Sequence, residues 1–205
     1  MFELLTGTGL AAAAGLGAFA PLLALGGLDR FTDVVTLPSG WEWLSSDIAL
    51  IIIAVLTLVD VVADKIPAVD SINDVIQTVV RPTSGGMVFG AGSAASTVAV
   101  QNPNEFFSAQ AWLPIVAGAI IALVTHLTKS TTRLASHAVS AGVAAPVLST
   151  GEDAVSISLI AAAILAPIAV IIVLGVLIYF AVSLGRWFAS RRAKERARQA
   201  LADAA

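Results

Sequence analysis

The chain has no cysteine, which excludes disulfide frameworks, thiolate metal sites and cysteine nucleophiles. Charge is scarce as well: 12% of the 205 residues are Asp, Glu, Lys or Arg, against about 25% in an ordinary soluble domain. The 11 basic and 14 acidic residues fall in a few short clusters and cannot coat a soluble fold of this size. HExxH and GxSxG are both missing, and no Gly-Lys-Ser/Thr follows the glycines at 85–92. The sequence therefore implies neither an enzyme nor a cofactor.

What is present is apolar: 58% of residues are hydrophobic, mostly in long runs. Leu4 to Leu28 holds 25 residues without a charge, enough at about 1.5 Å each to cross a hydrocarbon core of about 30 Å. Ala18-Phe19-Ala20 resembles a signal-peptide cleavage site, but Glu3 without Lys or Arg and the following Pro21 favour a retained span. Ile48 to Val59 needs residues from one flank, Trp43-Leu44 or Asp60 to Asp64, to reach across. Pro82 to Asn104 is uncharged but rich in Gly, Ser and Ala, and Phe106 to Thr125 is a clear span. Leu134 to Gly151 reads either as a span or as a re-entrant segment. Ala154 to Gly185 gives 32 uncharged residues, with room for a kink near Pro167.

These segments predict an all-α polytopic membrane protein of about six spans. Its domains would be a three-span half over residues 1–102, a second over 103–185, and a basic amphipathic tail over 186–205. Three spans per half make the halves antiparallel, the arrangement of inverted-repeat transporters. With both termini in the cytoplasm, Arg30 alone lies outside and the other ten Lys and Arg lie inside, as the positive-inside rule favours. The six cations of the tail suit anionic lipid headgroups. No folded domain accompanies the tail to make it a nucleic-acid reader.

Two polar segments adjoin spans. On a helix starting after Pro67, Asp70, Asp74, Thr78 and Arg81 recur at four, four and three residues and form one stripe. Asp60 and Asp64, followed by Lys65, make a similar pair at the end of the second span. In the other half His126, Lys129, Arg133 and His137 form a stripe of opposite sign, and Glu152-Asp153 precede the last span. Charges in apolar surroundings are tolerable chiefly when they pair inside protein, so the two stripes are expected to face each other. A solvated amphipathic loop and a paired network that only fixes packing are the competing readings. Gly86-Gly90 and Gly7-Ala11-Gly15 have the small-xxx-small spacing of close helix contacts, within the chain or in a homodimer. A helix N-terminus after Pro82 would be a second place to hold an anion.

The run DKxPxxDxxxDxxxTxxRPxxG stands here as Asp64-Lys65, Pro67, Asp70, Asp74, Thr78, Arg81-Pro82 and Gly85. HxxKxxTR and SxxED follow as His126, Lys129, Thr132-Arg133, and Ser149, Glu152-Asp153. With Leu37-Pro38-Ser39-Gly40-Trp41-Glu42-Trp43-Leu44, these motifs resemble a family of bacterial integral membrane proteins classed as domain of unknown function 4126, over about residues 3 to 155. His137, Ser140, Gly142 and Ala145 depart from the family pattern. The resemblance implies a bacterial inner membrane and a common polar core, and no activity. The residues themselves favour a small ion or solute transporter or channel-like protein. Its binding residues would be Asp64, Lys65, Asp70, Asp74, Thr78, Arg81, His126, Lys129, Arg133, Glu152 and Asp153. The alternative is an accessory membrane protein that binds lipid headgroups or a larger membrane complex.

Overall fold

The computed structural model describes residues 1–101, 112–140 and 145–176, together with 178, 179, 182, 183 and 186. For 67, 68, 70, 71, 134–140 and 145 it describes the backbone alone. The helices are α1 (Phe2–Leu16), α2 (Ala20–Phe31), α3 (Asp47–Ala63), α4 (Pro67–Ala94), α5 (Trp112–Ser140), α6 (Ala145–Leu165) and α7 (Pro167–Val176). Two short strands, β1 (Val35–Thr36) and β2 (Ser96–Thr97), pair antiparallel in the register Val35↔Thr97 and Thr36↔Ser96. Trp112–Arg133 within α5 and Pro146–Leu165 within α6 are long and apolar enough to cross a membrane.

α1 lies at the centre, against α4, α5 and α6. Ala11 to Ala14 are all buried, and their small side chains let three neighbours approach the helix at once. Helices α4 and α5 run antiparallel through a glycine contact. A Cβ on Gly86 would sit 2.7 Å from the Ile115 carbonyl oxygen, and one on Gly85 would sit 2.9 Å from that of Gly118. The small-residue positions noted in the sequence are thus consumed inside the fold and are not free for a second copy. α3 begins where Ser46 caps it, accepting from Ala49 N–H at 3.3 Å, with Asp47 in the first turn.

Three sequence expectations need correction. Leu4 to Leu28 is not one span: Gly17 is extended (φ −146°, ψ 112°) and ends α1, and Pro21 starts α2, where it costs no helical hydrogen bond. α1 and α2 run in opposite directions: along α4, Gly7 lies against Phe89 and Gly15 beside Arg81, whereas the end of α2 returns to the far end of α4, where Asp29 accepts from Leu37 N–H next to the β1–β2 pair. Second, Pro82 does not start a helix but lies inside α4, at the cost of the one N–H that would reach the Thr78 carbonyl. Third, Leu134 to Gly151 is not a separate membrane segment. It holds the end of α5 and the start of α6, with 141–144 outside the described residues.

The expected break near Pro167 is present. Ala163 and Val170 would both touch a Cβ placed on Gly9, whereas in a straight helix residues i and i+7 lie about 10.5 Å apart. The chain therefore bends sharply at Ala166. Of the 186–205 tail, only Arg186 lies within the described residues.

Polarity is inverted relative to a soluble fold. Large aliphatic side chains line the outside, among them Ile51, Val55 and Leu58 of α3, Val75 and Val79 of α4, and Ile172 of α7. Among the described residues, Arg81 and Arg133 are the two largest of the fully buried side chains.

Candidate functional site

The end of α3, the first half of α4, the second half of α5, the start of α6 and the last turn of α1 meet at one end of the helix assembly. Met1 lies at the other, beside Val98–Gln101. Met1 and Lys65 thus lie at opposite ends of α4, because the break at Gly17 returns the chain to its starting end before α3 begins.

Asp64 is the centre of the site. It is 3% exposed, and its Oδ2 accepts from Lys129 Nζ at 2.5 Å, Arg81 Nη2 at 3.4 Å and Arg133 Nη2 at 3.4 Å. Its Oδ1 accepts from Asn73 Nδ2 at 3.0 Å. Glu152 provides a second anion, 3.3 Å from Lys129 Nζ, and accepts from the Arg133 guanidinium through both oxygens. Asp60 provides a third, 3.8 Å from Arg81, and accepts from Asn73 at 3.0 Å and Gln77 at 2.8 Å. Burial disfavours the Asp64 carboxylate, but Lys129, Arg81 and Arg133 outweigh it and hold its pKa below the ordinary value. A lowered carboxyl pKa stabilises the fold at all pH above the ordinary carboxylate range, and that contribution fades only as the pH falls through the lowered value.

The cations also close the end of α1. Lys129 Nζ donates to the Leu16 carbonyl at 2.9 Å and Arg81 Nη1 to the Gly15 carbonyl at 3.3 Å. These are last-turn oxygens with no partner within the helix, and positive charge is favoured there. Arg81 Nη1 also lies 3.1 Å from His126 Nδ1. Because guanidinium only donates, Nδ1 must accept, and the ring hydrogen is on Nε2. Nε2 faces Thr78 Oγ1 at 3.1 Å, whose own hydrogen goes to the Asp74 carbonyl at 2.9 Å. Ser130 Oγ donates to Asp74 Oδ2 at 3.1 Å.

Ten of the eleven residues singled out in the sequence are brought together here. The side chain of the eleventh, Asp70, lies outside the described residues, as does that of His137. The stripes do face each other, and Asp64 is an anion that Arg81, Lys129 and Arg133 share. Lys65 and Asp153 form a rim pair at 2.8 Å, 37% and 31% exposed. Lys65→Ala should therefore cost no more than about 1 kcal/mol, read as a small shift in the thermal midpoint of the detergent-purified protein. Asn73 and Gln77 were missed. Their spacing of four residues from each other and from Arg81 places all three on one face, a signal available in the sequence.

Together these features define a helical protein with an apolar exterior, two helices able to cross a membrane and a buried ionic cluster at one end. A family model for a domain of unknown function, DUF4126, matches residues 4–187, and the chain belongs to that family. No curated protein and no solved structure matches the chain.

Proposed function

We propose that the protein is a multi-pass protein of the bacterial inner membrane that moves a small ion or solute through a polar site between its two halves. One observation carries this reading. Asp64 and Arg81 from the first half meet Lys129 and Arg133 from the second, nearly unexposed and with Glu152 beside them, at one end of helices with apolar outer faces. Ionisable groups held in apolar surroundings mark ion and solute paths, and a site between antiparallel halves suits alternating access.

Orientation follows from charge. Lys65, Arg81, Lys129 and Arg133 gather at the cluster end, while Asp29, Asp33, Glu42 and Asp47 lie in or beside the loop joining α2 to α3. The positive-inside rule assigns the cluster end to the cytoplasm. Met1 is then outside, and α1 and α2, about 22 and 18 Å long, form a hairpin that enters the bilayer and returns. In place of six equal spans, α2–α4 and α5–α7 serve as two halves of opposite sense. The 186–205 tail returns to the cytoplasmic face and its headgroups.

The test is flux of Na⁺, K⁺ and protons in proteoliposomes. Asp74→Asn should lower flux at least tenfold while its elution profile and thermal midpoint stay near those of the parent. Unchanged flux, or a loss that tracks unfolding, would favour the accessory reading. Deleting residues 190–205 should then release a bound partner, whereas a transporter should keep its flux.

A further inference from the structure

We propose that Asp74 and Gln77 form a binding site for one small positive charge, a sodium-sized cation or a proton. That this is the charge moved or coupled at the polar site rests on the transport reading; the binding site does not.

Among the described residues three buried polar atoms have no hydrogen-bond partner: Asp74 Oδ1, Gln77 Oε1 and Arg81 Nε. Residues 74, 77 and 81 lie on one face of α4, three and four residues apart. Both oxygen-bearing side chains are anchored at their other end, Asp74 through Ser130 and Gln77 through its amide nitrogen on Asp60. Gln77 is only 3% exposed, so its free carbonyl oxygen stays within the cluster. A buried acceptor without a donor costs free energy of the order of a lost hydrogen bond or more, and here two occur within one turn.

The charges point the same way. Among the described residues the cluster holds the carboxylates of Asp60, Asp64, Asp74 and Glu152 against the cations Arg81, Lys129 and Arg133; the rim pair Lys65–Asp153 is neutral within itself. One negative charge is left over. Among the described residues Asp74 takes part in no ion pair with these cations, so the excess falls on it. Among the described residues, the groups facing this region are His126, Lys129, Ser130 and Arg133 from α5, Asp60 and Asp64 from the end of α3, Glu152 from α6 and the Gly15 carbonyl from α1. A carboxylate and an amide oxygen without donors on one helix face repel an anion. No group of three His, Asp or Glu suited to a metal ion occurs among the described residues, so a single charge fits better than a divalent ion. Arg81 Nε, one turn on, is a donor and suits an oxygen of the bound ion's hydration shell.

The experiment uses the full-length purified protein with sodium chloride exchanged for N-methylglucamine chloride at constant ionic strength. If the charge is a sodium-sized cation, sodium should raise the thermal midpoint saturably by about 2 °C or more. Asp74→Asn should abolish that shift, and Gln77→Leu should weaken the apparent affinity at least tenfold. If the charge is a proton, sodium has no effect. The wild type then shows an infrared band of a protonated carboxyl at neutral pH that Asp74→Asn lacks and Gln77→Leu moves. Neither signature in the wild type, or either one unchanged in Asp74→Asn, overturns the site. Should Asp74→Asn not fold, Gln77→Leu decides: an unaltered sodium affinity and an unmoved band overturn it equally. Binding without flux would leave the site standing and remove the transport reading, and flux without binding would do the reverse.

Discussion

Asp64→Asn should cost about 3–5 kcal/mol of folding stability, enough to prevent accumulation of monodisperse protein. The side chain keeps its shape and its contact with Asn73, but Arg81, Lys129 and Arg133 lose the oxygen that all three share. Removing one member of a buried ionic network leaves the others as uncompensated charge, which is dearer than never having had the network. A second substitution makes the cause visible. Adding Lys129→Met to Asp64→Asn removes one stranded cation, and it should recover at least about 1 kcal/mol through coupling of neighbouring sites. Unfolding titrations in mixed detergent micelles measure both. If Asp64→Asn alone leaves stability within about 1 kcal/mol of the parent, the network is solvated and the site described here does not hold its charges.

The second large effect is expected at the contact of α4 and α5. A Cβ on Gly118 would meet the Gly85 carbonyl oxygen and the Phe89 Cβ, so part of the obstruction is backbone that no rotamer change can move. Gly118→Leu should separate the two helices and cost about 3 kcal/mol or more. It should also draw Ser130 and His126 away from Asp74 and Thr78, because all four bridge the same pair of helices. Gly151, inside α6, is the control. Nothing lies within 4 Å of its added Cβ, and Gly151→Ala should be neutral or stabilising by about 0.5–1 kcal/mol. Thermal midpoints of both variants in one detergent check the contrast.

The sequence shows why the site was more legible than the path of the chain. Asp74, Thr78 and Arg81 recur at helical spacing and so do His126, Lys129 and Arg133, and helical periodicity survives whatever the tertiary arrangement. Opposite signs in apolar surroundings then left few choices but mutual pairing. The break at Gly17 was hidden for a physical reason: Leu4 to Leu28 has no charge to mark a loop, and the turn is paid in backbone geometry at Gly17 and Pro21. Pro82 misled in the other direction. A proline usually marks the start or end of a helix, yet α4 continues through it, held on both sides by contacts of Arg81 and Gly85. Asp64 as shared anion could not be read from spacing, because its three cations come from positions 17, 65 and 69 residues further along the chain.

The origin of those charges has a consequence for how the protein is built in time. In the core of the cluster, Asp60, Asp64 and Arg81 precede residue 102 and carry one excess negative charge, while Lys129, Arg133 and Glu152 follow it and carry one excess positive charge. Each group has an internal pair, Arg81 with Asp64 and Arg133 with Glu152, so neither group is left with all of its charges bare. The turn at the end of α1 must wait for Lys129, 113 residues after Leu16, before its carbonyl is closed. The N-terminal hairpin is thus made first and locked last, by a lysine from much later in the chain.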